Sequence, residues 1–180
     1  MTAPVDGAAL VAAGRWAVEP GVAGFAVRDK LVTTVRGTLP VGDGGVTVGE
    51  AGEVVHGWVR LAVGGIATGN ARRDRDLMKP GLLDGGRFPV VSLSASGGSV
   101  AAASGAGSVL EGTVLAKGVR VPVTLTATVV GDDGPDVVRV RVTGRLDRRP
   151  LGIRAPSFVI GRWVDLEAEL TLRRVAGDAS

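Results

Sequence analysis

Apolar and polar residues alternate along much of this chain. Between Val121 and Val129, five residues (Val121, Val123, Leu125, Ala127, Val129) fall on one side, and Thr124, Thr126 and Thr128 fall on the other. Val164 to Leu172 repeats the pattern, with Val164, Leu166, Ala168, Leu170 and Leu172 set against Asp165, Glu167, Glu169 and Thr171. Val138 to Thr143 sets Val138, Val140 and Val142 against Arg139, Arg141 and Thr143. One wet face and one dry face per strand is the pattern of antiparallel sheet. The stretch Glu53 to Val63 is less regular: Val55, Val59, Leu61 and Val63 share a face, and Val54, His56, Trp58 and Arg60 share the other. There Trp58 is expected to cover a barrel end or to pack under a helix. Further strands are expected over Trp16–Pro20, Val22–Arg28, Leu31–Leu39, Val46–Gly49, Phe88–Ala95 and Gly112–Lys117. Glycine clusters at Gly42-Asp43-Gly44-Gly45, Gly97-Gly98 and Gly131-Asp132-Asp133-Gly134 read as tight turns between them. The fold class that follows is all-β, a single antiparallel up-and-down barrel of about eight strands; a flat sandwich is the alternative.

One segment breaks this rhythm. In Thr68 to Pro89, Asn70 is placed to cap a short helix near residues 70–78, the longest regular helix expected in the chain, in which Arg72 and Asp76 sit four apart on one face. Pro80 and Gly81 stop it, and Gly85-Gly86 turns the chain back.

Composition narrows the function classes. The 180 residues suffice for one domain with a sizeable core, and 45% hydrophobic with 22% charged residues is ordinary for a globular protein. With three Phe, three Trp and no Tyr, an interior of Val, Leu and Ala leaves room in a barrel for a long apolar cavity. No cysteine is present, so there is no disulfide framework, thiolate nucleophile or zinc–cysteine site. The opening residues lack a basic start followed by a long apolar run, and no stretch approaches the roughly 20 apolar residues of a membrane span. As written, the chain is expected to be cytoplasmic. The net charge of +3 bears on solubility and non-specific binding rather than on fold.

Candidate chemistry is sparse. His56 is the only histidine, so neither a histidine metal site nor a Ser-His-Asp triad has partners. Asp132, Asp133 and Asp136 do not match a calcium loop and read as a hairpin turn. Arg148-Arg149 and Arg173-Arg174 read as surface charge, without the aromatics that would stack on bases. No nucleotide-binding loop occurs. No enzyme, no metal and no nucleic-acid partner are expected.

The segment Thr68-Gly69-Asn70, Arg73-Asp74, Asp76-Leu77, Leu83-Asp84 and Phe88-Pro89 resembles, in order, a signature of the YceI-like family of polyisoprenoid-binding proteins. The likeness extends to Trp16-Ala17-Val18-Glu19-Pro20 and Phe25-Ala26-Val27-Arg28. It continues through Gly112-Thr113-Val114, Lys117-Gly118-Val119, Pro122-Val123 and Leu151-Gly152-Ile153. Several polar positions depart from the pattern. Gly21, Val22 and Ala23 replace a His-Ser pair, Asp29 and Asp76 stand where histidines are usual, and Gly65 stands for a serine. Contacts made by those groups elsewhere do not carry over to this chain.

The resemblance implies a lipocalin-like barrel over residues 15–175, with a short extension at 1–14 and a tail at 176–180. It also implies binding, storage or transport of a polyisoprenoid or isoprenoid quinone in the interior. Many members of the family are exported. Wall candidates are Phe25, Val59, Leu61, Val63, Phe88, Leu93, Leu125, Val140, Phe158, Ile160, Trp163 and Leu166, with Arg72 and Arg73 as candidates for a head group. The expected partner is a long-chain isoprenoid lipid, with no other cofactor, no stable membrane insertion, and a homodimer left open. The competing reading is a non-enzymatic interaction protein that binds an acidic partner through its arginine-rich surface.

Overall fold

The structure, a computed structural model, describes residues 11–29, 33–99, 107–154 and 160–177. Its nine strands form one antiparallel sheet that closes on itself. They are β1 (Gly14–Val18), β2 (Gly21–Asp29), β3 (Thr34–Val48), β4 (Glu53–Ala62), β5 (Val90–Ser99), β6 (Ser108–Ala116), β7 (Val119–Asp132), β8 (Val137–Asp147) and β9 (Ile160–Arg174). Each pairs with its neighbour in sequence from β2 to β9, and β9 returns to pair with both β1 and β2. Strands β1 and β2 lie end to end, interrupted at Glu19-Pro20, and share the same two neighbours, β3 and β9. The barrel therefore has eight sides. Closure leaves no unpaired edge, which is how up-and-down barrels escape edge-to-edge association.

The alternation read from the sequence is the inside–outside alternation of this barrel. Val121, Val123, Leu125 and Ala127 on β7 are buried, as are Val138 and Val140 on β8 and Leu172 on β9. Two bulges change the parity of neighbouring strands. In β4 the register shifts between Val54 and Gly57, so Val54 is buried and Val55 is 53% exposed, the reverse of the expected faces. In β3 the register shifts between Val41 and Asp43. Gly42-Asp43-Gly44-Gly45 is thus no turn, and Leu31–Leu39 and Val46–Gly49 are not separate strands: one strand runs through from Thr34 to Val48. The glycines are needed for close approach. A Cβ on Gly44 would lie 2.6 Å from the Trp58 carbonyl oxygen, and one on Gly45 would lie 3.2 Å from Trp58 Nε1. Trp58 neither caps an end nor underlies the helix; its ring is covered on the outer surface by the Arg60 guanidinium, 4.9 Å from the ring centroid. Gly97-Gly98 likewise lies within β5, and that strand begins at Val90, not at Phe88.

Between β4 and β5 the chain makes a long strap, Val63 to Pro89, across one end of the barrel. The Val63 amide donates to the Pro89 carbonyl (2.9 Å), tying the two roots of the strap together. An isolated bridge joins Ala67 to Thr38 of β3. On the other side the Arg154 amide donates to the Gly81 carbonyl (2.8 Å), and Lys117 Nζ donates to that of Pro80 (3.4 Å). The strap carries helix α1 (Ala71–Leu77), the longest among the described residues. Asn70 caps it by accepting from the Arg73 amide (3.0 Å). Asp76 pairs with Lys79 (2.7 Å) and not with Arg72. That Lys79 hydrogen bond, with the charge of Lys79 behind it, holds the Asp76 carboxyl below its usual range. At the opposite end, Trp16 is 2% exposed and its Nε1 donates to the Ala12 carbonyl (3.0 Å); Val11 packs into the same core.

Candidate functional site

The inward faces of the strands do not fill the barrel. A cavity of about 150 Å³ remains at its centre, bordered by all eight sides. Its wall is apolar, built mostly from aliphatic side chains, with Phe25 and Trp58 also on its border. Glu167 borders it too, but its carboxylate is 68% exposed and lies 3.8 Å from Arg141 outside the barrel. No buried side-chain nitrogen or oxygen among the described residues lacks a hydrogen-bond partner. An apolar occupant thus enters without leaving a polar group stranded.

The space exists because small residues take inward positions and one larger neighbour reaches over each. Leu125, 2% exposed, lies opposite Gly144 of β8 and beside Gly112 of β6. A Cβ on Gly144 would come within 2.7 Å of its Cδ2, and one on Gly112 within 3.2 Å of its Cδ1. Phe25 occupies the equivalent space over Gly37, its register partner on β3, where the methyl group of Thr68 also rests. Thr68 is held firmly: its amide and hydroxyl both donate to Asp74 Oδ1 (3.0 and 2.5 Å), while Arg73 donates from Nε to its hydroxyl and from Nη2 to its carbonyl (both 2.8 Å). The charged residues of the strap thus fix the surface on which the Phe25 ring rests. Gly37→Val should push that ring into the cavity. The overpacking should cost about 1–3 kcal/mol and reduce uptake of an apolar ligand, seen as a lower melting temperature together with weaker binding.

Of the wall candidates, Phe25, Val59, Leu61, Leu93, Leu125, Val140 and Leu166 border the cavity. Val63 does not: it is buried (1% exposed) at the root of the strap. Phe88 lies in the strap, with the Arg87 guanidinium 5.2 Å from its ring centroid. Trp163 faces outward, 42% exposed, under the Arg162 guanidinium at 4.4 Å. Phe158 and the side chain of Ile160 lie outside what the structure describes. Ala23, Val54, Ala95, Ala127, Val142 and Ala168 also border the cavity. Most of these lie on the inward faces that the alternation predicts; Val54 lies where the bulge in β4 reverses the faces. Arg72 and Arg73 do not reach the cavity. Arg72 is exposed on α1, and Arg73 is committed to Thr68.

The arginine pairs part ways. Arg148 is not surface charge but is 6% exposed, its Nε donating to the Gly161 carbonyl (2.7 Å) and its Nη1 to that of Ile153 (3.1 Å). Arg149 hydrogen-bonds the exposed side of Asp147, which Arg162 also contacts (2.9 Å), and the bond from Arg149 is the main reason that the Asp147 carboxyl sits well below its usual range. Arg173 pairs with Glu19 (2.6 Å), and Arg174 donates to the Ala13 carbonyl. His56 is exposed on β4, and the described residues contain no group of three metal-ligating side chains. No described helix is long and apolar enough to cross a membrane.

The family model of the YceI-like domain matches residues 16–172. No curated protein matches the chain. Among solved structures, a polyisoprenoid binding domain from Saccharophagus degradans, implicated in plant cell wall breakdown, superposes with a TM-score of 0.62 at 14% identity, over 89% of this chain and 98% of that one. Burkholderia cenocepacia BcnA gives a TM-score of 0.67 at 15% identity, over 83% and 95%. The Campylobacter jejuni YCEI protein gives 0.62 at 15% identity, over 70% and 76%.

Proposed function

Because the chain belongs to the YceI-like domain family, we propose that its barrel binds a polyisoprenoid tail in the central cavity. The observation that carries this reading is the apolar wall, which offers burial and nothing else. Burial contributes roughly 0.8 kcal/mol per CH₂, so one five-carbon isoprene unit gives about 4 kcal/mol. Two units already reach the range of micromolar affinity, before the cost of immobilising the tail is subtracted. Cavity length and width then set selectivity, and a quinone or other neutral head group is the fitting terminus for such a tail. The barrel acts as a carrier or store, without chemistry of its own.

Mass spectrometry of an organic extract of the purified protein should recover an isoprenoid lipid. Affinity for a long-chain isoprenoid should change by less than about threefold between low and moderate salt. Tail burial releases no counterions, and surface-excluded salts strengthen it slightly. Empty extracts, together with polyanion binding that moderate salt abolishes, would instead favour the arginine-surface reading.

A further inference from the structure

The charges of this protein are sorted by position. Along the barrel wall they are matched: Arg60 pairs with Asp43, Arg139 with Asp133 and Glu169, Arg141 with Glu169, and Arg145 with Asp165. The end opposite the strap carries Glu50, Glu53, Asp132 and Asp136, besides Asp133 already paired with Arg139, against Arg15 and Arg174. The strap end is different. Arg28 and Arg36 stand exposed where β2 ends and β3 begins, Arg72 and Arg75 on α1, Arg87 in the strap, and Arg120 at the start of β7. Against these six, the acidic side chains described there are Asp74, Asp76, Asp84 and Asp147. Three are already engaged: Asp74 by Thr68, Asp76 by Lys79, and Asp147 by Arg149 and Arg162. Trp163 is exposed at the same rim, opposite Asp147, with Arg162 over its ring. An indole beside an excess of exposed arginines is the combination that settles at the head-group level of a bilayer.

We infer that the strap end docks on an anionic bilayer surface, with the barrel axis directed toward the membrane. These six arginines, none of which closes an ion pair within 4 Å among the described residues, outnumber the carboxylates near them. They supply attraction to acidic head groups, and Trp163 supplies an apolar anchor at the interface. That the anionic surface is a bilayer, rather than an acidic protein, rests on the cargo reading above, since a lipid tail enters and leaves through a membrane. The acidic far end is turned away by the same field, so docking is oriented.

The test is co-sedimentation of the full chain with vesicles of phosphatidylglycerol mixed equally with phosphatidylcholine, and with vesicles of phosphatidylcholine alone. Binding should appear only with the acidic lipid and should weaken as salt rises. Near a membrane each arginine contributes enough to change partitioning about fivefold, so Arg72→Ser with Arg75→Ser should lower it by roughly 25-fold. Arg139→Ser with Arg141→Ser, on the matched wall, should leave it unchanged. Circular dichroism of both variants checks that they are folded. Equal binding to both vesicle types, no binding to either, or equal loss with the wall variant would overturn the inference. So would retention on a soluble polyanion such as heparin without vesicle binding, which would indicate a soluble acidic partner. The two readings fail separately: vesicle docking without any recovered isoprenoid would remove the cargo and keep the surface. Salt-independent isoprenoid uptake without docking would do the reverse.

Discussion

Leu125→Arg should yield a protein that takes up no isoprenoid tail and melts lower by about 10 °C or more, while Thr126→Arg should fold and bind as the parent does. Leu125 is 2% exposed and fills the space above Gly144 and Gly112, so a guanidinium there has neither water nor a carboxylate to meet. An unpaired charge in a dry interior costs several kcal/mol, and for a chain of this size each kcal/mol lowers the melting temperature by roughly 2–4 °C. Thr126, one residue along, faces outward, where a change stays within about half a kcal/mol. Thermal melts and a tail-binding assay on both variants decide it; equal behaviour would mean that the faces of β7 are reversed.

The second large effect is expected at Arg148. Arg148→Met keeps much of the volume but leaves the carbonyls of Gly161 and Ile153 without their donor. Hydrogen bonds to charged groups contribute about 1.5–3 kcal/mol each, and these part-buried acceptors recover some of that from water when the donor is lost. A loss of roughly 2–4 kcal/mol follows, read as a drop of about 5–15 °C in melting temperature. Arg149→Ser is the control: that side chain is 60% exposed on the far side of Asp147, and its loss should leave the melt unchanged within error. Identical melts for the two variants would show that the buried arginine is dispensable.

The contrast between those neighbours illustrates how much of the molecule was legible in the sequence. Arg148 and Arg149 look alike in a string of letters; only the closing of β8 onto β9 and the turn at residues 149–151 bury one and expose the other. Strict alternation in β7, β8 and β9 revealed the faces correctly, because a period of two survives wherever pairing is regular. It failed at Val54 and at Gly42, where an extra residue in a bulge reverses parity with no change in composition. Glycine runs misled for a related reason. At Gly44 and Gly45 the missing side chain makes room for Trp58 and its strand, and a turn is not needed. The capped helix was legible because its signals are local, running from Asn70 to Arg73. The role of Thr68 beneath Phe25 was not, since β2 and the strap meet only after the barrel has closed.

That closure has a consequence in time. β9, the last fifteen-residue strand, zips two seams at once: against β8 on one side and against β1 and β2 on the other. Until it arrives, the sheet is an open, curved ribbon with free edges on β1, β2 and β8 and its apolar inner face uncovered. Pairing between the two ends of the chain is the costliest kind of contact to form, and such folds are slow to complete and exposed to association on the way. During synthesis at the ribosome, therefore, no cavity exists to receive a lipid; the space for a tail forms only when the final strand locks into place.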